Sequence, residues 1–109
     1  MKFQGIKLVH GYHDAIITSV DYPNDSDVYL NIDTCSCCNP SAGPASLLFI
    51  SVRNFTKVQA IFQSAQIANG KFSHTDEIIG IRRGKKRGYI LDLVTSGSLH
   101  VDAKSIIET

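Results

Sequence analysis

Strict two-residue alternation is the pattern that most narrows the folds open to this chain. Between His13 and Tyr22, Ile16, Thr18, Val20 and Tyr22 fall on one side and Ile17, Ser19 and Asp21 on the other. That is the period of a half-buried strand, because successive side chains of an extended backbone point to opposite faces. Pro23-Asn24-Asp25-Ser26 interrupts it, and Val28, Leu30 and Ile32 then alternate with Tyr29, Asn31 and Asp33. The two runs predict an antiparallel hairpin with a loop of four or five residues. From Thr34 to Ser46 the Cys, Ser, Asn, Gly and Pro residues show no period and predict a long loop. Leu47 to Val52 is apolar on both faces, as in a central strand covered on each side.

One segment changes period. Phe55, Val58, Ile61, Phe62, Ala65 and Ala68 recur at spacings of three and four and form one apolar stripe. The helix they predict starts at Asn54 as N-cap and stops at Asn69-Gly70 in a left-handed turn. Its other face carries Gln59, Gln63 and Gln66 and reads as a solvated surface. Beyond it, Glu77 to Ile81 and Tyr89 to Thr95 flank the basic run Arg82-Arg83-Gly84-Lys85-Lys86-Arg87-Gly88, whose glycines permit a turn. Ser96-Gly97 separates this hairpin from a last strand in which Leu99, Val101 and Ala103 share a face. No internal repeat of fixed period is visible. The expected architecture is α+β over residues 1–109 as a single domain, an antiparallel sheet of about six strands (β-β-β-α-β-β-β) with one main helix packed on it. The first ten residues are a candidate extra edge strand.

The opening Met-Lys-Phe-Gln-Gly-Ile-Lys-Leu-Val-His lacks the unbroken apolar core of a secretory signal, and nowhere do eighteen apolar residues run together. Cys35, Cys37 and Cys38, an odd and clustered set, make a poor disulfide framework, which favours a reducing cytoplasm. Eleven Lys and Arg against ten Asp and Glu leave a net charge of +1. No global field therefore draws the chain to nucleic acid or anionic lipid. Any such attraction is local.

Cys35 and Cys38 have the C-x-x-C spacing of a zinc knuckle, with Cys37 beside them, but a structural zinc needs four ligands and His10, His13, His74 and His100 are scattered. Loop thiols are the plainer reading. His13-Asp14 has the composition of a metal-binding dyad, yet neighbours on a strand diverge, so a structural role at the strand entrance fits better. No nucleophile elbow, P-loop, dinucleotide fingerprint or H-E-x-x-H motif occurs. Arg82, Arg83, Lys85, Lys86 and Arg87 put five positive charges within six residues, a local anion-attracting tip. Its plainer reading is a turn kept soluble by charge.

His13-Asp14-Ala15-Ile16-Ile17 at a strand start, Val28-Tyr29-Leu30-Asn31-Ile32 after a hairpin, and Leu48-Phe49-Ile50 with Val52-Arg53-Asn54-Phe55 leading into the helix are similar to a group of small bacterial proteins with an opening HD-x-x-I signature. Several such families resemble immunity proteins of polymorphic toxin and contact-dependent growth-inhibition systems. The likeness covers the first half to two thirds of the chain and does not include the cysteine segment or the basic hairpin. It implies a non-enzymatic cytoplasmic binder, without cofactor, that neutralises a cognate toxin domain. On that footing Arg82, Arg83, Lys85, Lys86 and Arg87 are the expected contacts to an acidic toxin surface, with the glutamine face as a lesser one. Two other expectations compete: a nucleic-acid or nucleotide-binding module using the same basic hairpin, and a zinc protein built on Cys35, Cys37 and Cys38.

Overall fold

Where the first alternation was expected, strand β1 (Ala15–Asp21) pairs antiparallel with β2 (Val28–Asp33). The computed structural model describes residues 15–33, 44–72, 74–84 and 88–108. Val28, Leu30 and Ile32 are buried as their spacing requires. The expectation for β1 is only half right. Ala15 and Ile17 point into the core, while Ile16 and Thr18 face out. Ile17 lies opposite Ile32 but Ser19 opposite Asn31, so one extra residue enters β1 and inverts the alternation. Past this bulge Val20 turns inward, and Tyr22 packs edge-on against Phe55 with ring centroids 5.6 Å apart.

Strand β3 (Pro44–Ile50) continues the meander on β2 and begins inside the stretch expected to be loop. Leu47 and Phe49 are buried and Leu48 and Ile50 half-buried, in keeping with an apolar run covered on both faces. The second meander comprises β4 (Asp76–Arg83), β5 (Tyr89–Leu93) and β6 (Gly97–Val101). β4 extends past Ile81, which makes Arg82 and Arg83 strand residues. A seventh strand, β7 (Ser105–Glu108), adds to β3, so among the described residues the sheet has seven strands where about six were expected. Four residues are too few for periodicity to reveal.

The strand order is β6-β5-β4-β1-β2-β3-β7, antiparallel throughout. Among the described strands β6 and β7 are the two edges, yet they are consecutive in the chain, and the step from Val101 to Ser105 spans about 14 Å at most. A flat seven-stranded sheet would hold its edges roughly 29 Å apart. The sheet must therefore curl until its ends meet. Two backbone bonds tie the β3–α1 segment to the β6–β7 connection: Lys104 N–H donates to the Ile50 carbonyl (2.8 Å), extending the β3–β7 ladder, and Arg53 N–H to the Asp102 carbonyl (2.9 Å). Inside lie Ile17, Leu30, Leu47, Phe49, Ile78 and Leu91.

Helix α1 (Phe55–Ala68) has the bounds that its flanking asparagines suggest, and buries Val58, Phe62 and Ala65 against the core. Ala68, assigned to the stripe, is exposed. The ends differ from expectation. Asn54 makes no capping bond; its Nδ2 donates to the His100 carbonyl (2.8 Å) and its Oδ1 accepts from Asp102 N–H (2.9 Å). Asn69 has φ −106° and runs into a 3-10 turn at Gly70–Phe72, with no left-handed stop. Its Nδ2 donates to the Thr75 carbonyl and Thr95 Oγ1, both at 2.9 Å. Both asparagines tie the helix to the sheet.

Candidate functional site

The basic hairpin stands on a base that the sequence did not reveal. Arg82 projects from the outer face of β4, its Nε 3.0 Å from Asp92 Oδ2 and a second guanidinium nitrogen 3.3 Å from Oδ1. Ser98, on β6, donates its hydroxyl to the same Asp92 Oδ1 at 2.7 Å. Three adjacent strands are thereby linked on one face. The Arg82 hydrogen bonds, then that of Ser98, hold the Asp92 carboxyl below the usual carboxylate range, and Asp92 in turn raises Arg82. Ser98 gives its proton to a carboxylate and not to a histidine, so this arrangement does not activate it as a nucleophile.

Above this base Gly84 N–H donates to the Gly88 carbonyl at 3.0 Å and closes the turn. Gly88 sits at φ +83°, and a Cβ there would lie 2.9 Å from Asp102 Cα and closer still to the Val101 carbonyl oxygen. Only glycine fits both conditions. Arg83 lies opposite Tyr89 at the mouth of the hairpin. Lys85, Lys86 and Arg87 lie outside the described residues, as do Cys35, Cys37, Cys38, His13 and Asp14. Of the five cations expected to act together, Arg82 and Arg83 are placed at the foot of one hairpin, and Arg82 is committed to Asp92.

Two further carboxylates have structural partners. Asp27 Oδ1 accepts from Ser51 N–H (2.9 Å), where φ is +55°, and Oδ2 accepts from Asn24 Nδ2 (3.0 Å). The Asn24 bond, followed by that of Ser51, lowers the Asp27 pKa. Asp76 is fully buried and accepts from Glu77 N–H (2.8 Å) and Thr95 N–H (2.9 Å) at Oδ1, and from Ser96 N–H (3.2 Å) and Oγ (2.7 Å) at Oδ2. Three of the four donors, from Thr95 and Ser96, clamp the β5–β6 turn to β4. Among the described residues no group of three or more His, Cys, Asp or Glu side chains gathers to hold a metal.

Elsewhere the surface carries apolar groups that hydrophilic patterning did not announce. Ile67, on the glutamine face of α1, is 84% exposed. On the outer sheet face Tyr29, Leu48 and Ile107 lie side by side on β2, β3 and β7. An open groove along α1 is lined by Lys57, Ala60, Ser64 and Ala68 with Thr95 and Ser96 opposite. Comparisons with family models, curated proteins and solved structures return no match. No helix among the described residues is long and apolar enough to cross a membrane.

Proposed function

We propose that this chain is a non-enzymatic, cytoplasmic protein-binding inhibitor, an immunity protein that neutralises a toxin domain by direct contact through its β4–β5 tip. The observation that supports this reading most is the anchored base of the basic hairpin. Asp92, Ser98 and Gly88 hold the foot of a turn whose sequence bears five cations on a chain of net charge +1. A fixed foot lowers the ordering cost of binding, and clustered charge speeds encounter with an acidic surface. A scaffold of this size also has room for a standard interface of about 800 Å² per partner.

The test replaces the three cations beyond the foot, Lys85→Glu, Lys86→Glu and Arg87→Glu together. Arg82 is left in place, since its reversal would set two carboxylates against each other. Capture of the cognate toxin domain, sought among the neighbouring genes, is expected to weaken by about tenfold or more with the fold intact. Unchanged capture by the folded variant removes the tip from the interface. Capture of random-sequence nucleic acid, falling steeply with salt, would favour the polyanion reading instead.

A further inference from the structure

The two hairpins superimpose in register. Ile17 faces Ile32, Ser19 faces Asn31, Val20 faces Leu30 and Asp21 faces Tyr29. Ile78 faces Leu93, Gly80 faces Asp92, Ile81 faces Leu91 and Arg82 faces Ile90. Each residue of the second set stands 61 positions after its counterpart, as Ile78 does after Ile17 and Leu93 after Ile32. Even the bulge recurs, between Ile17 and Ser19 and between Ile78 and Gly80. The outer polar pair recurs as well: Asn31 Nδ2 donates to Asp21 Oδ2 at 2.9 Å, and at the matching positions Arg82 donates to Asp92. The third strands follow with a step of 52. Leu47 opposite Leu30 and Phe49 opposite Val28 become Leu99 opposite Leu91 and Val101 opposite Tyr89.

The contact between the two halves has the matching symmetry. Ala15 pairs with Ile78, Ile16 with Glu77, and Ile17 with Asp76. A step of 61 exchanges the first and last of these pairs and returns the middle one to itself, which is how a surface meets its own copy across a two-fold axis. At the seam, Ile50 and Asp102 stand 52 apart, and the carbonyl of each accepts from the chain leaving the other half, from Lys104 and Arg53.

We infer that the chain is a tandem duplication: one three-stranded β-meander, repeated and fused as a pseudo-two-fold pair that closes on itself. α1 and β7 are the unlike extensions that follow the two third strands. The sequence conceals this because Ile17/Ile78, Leu30/Leu91, Ser46/Ser98 and Leu47/Leu99 are the only identities across the matched strands. No repeat of fixed period is visible in the sequence also because the offset changes from 61 to 52 between the second and third strands. The first unit takes twelve residues from Ile32 to Ala45 where the second takes three from Leu93 to Gly97. The nine extra residues fall in the cysteine segment, which on this reading is an insertion into the first unit.

The test shortens the full chain by nine, replacing residues 33–45 with Val-Thr-Ser-Gly as at 94–97. Ala15→Asp is included to supply the carboxylate that Asp76 gives the short turn. Two companions shorten it by eight and by ten, which leaves the β2–β3 connection one residue longer or shorter than the three that join Leu93 to Gly97. The nine-residue deletion is expected to keep a cooperative thermal transition within about 5 °C of the parent, and both companions to melt lower than it does. A nine-residue deletion no more stable than its companions would overturn the duplication.

Discussion

Gly88 condenses the reasoning at the residue scale, because local dihedral and tertiary approach impose the same choice. Gly88→Ala would place a methyl group against the Val101 carbonyl at a positive φ. We expect a loss of about 2–4 kcal/mol by urea unfolding. Gly80→Ala, with open space at its Cβ, should change stability by under about 1 kcal/mol. Equal effects at the two positions would contradict the packing described. The turn glycine was legible in the sequence as a turn former, but the strand it touches was not. Asp76 was not legible at all, since Thr95 and Ser96 lie 19 and 20 residues away. Asn54 was placed correctly and given the wrong work. Its amide both donates to His100 and accepts from Asp102, so Asn54→Ala should cost about 1–2 kcal/mol. Asn54→Asp, a good N-cap that cannot donate, should fail to restore it; full rescue would return the residue to a capping role.

Individual elements were readable to the extent that their side chains kept one period. β2 and the limits of α1 were plain for that reason. β1 was misread over its first half because a single inserted residue at Thr18 reverses its faces, and a bulge leaves no mark in composition. The β4–β5–β6 face carries a pH dependence of definite sign. Asp92 has a depressed folded pKa, so its contribution is complete above the unfolded carboxylate value near 4 and fades as pH falls through the lower folded value. Urea midpoints measured from pH 6 down to pH 2 should therefore fall less steeply in Asp92→Asn than in the parent. Parallel acid limbs would mean that the Arg82–Asp92–Ser98 link adds nothing to the hairpin base.

For the whole molecule, the α+β class and the antiparallel sheet with one packed helix followed from alternating and helical periods. Closure and duplication did not, because both depend on which strands neighbour one another, and short strands carry no address in their sequence. The pairing register makes the β1–β2 and β4–β5 hairpins equivalent, and their sequences carry opposite charge, Asp21, Asp25 and Asp27 in one and the cations of 82–87 in the other. An acidic hairpin folds in the same register as the basic one, so the scaffold does not demand the positive charge, and partner recognition supplies a reason for it. Calorimetric titration of the intact chain into the proposed partner, a toxin domain sought among the neighbouring genes, at about 50 and 200 mM salt, tests this most directly. We predict a saturable one-to-one complex that weakens several-fold at the higher salt; no binding, or binding indifferent to salt, would contradict it.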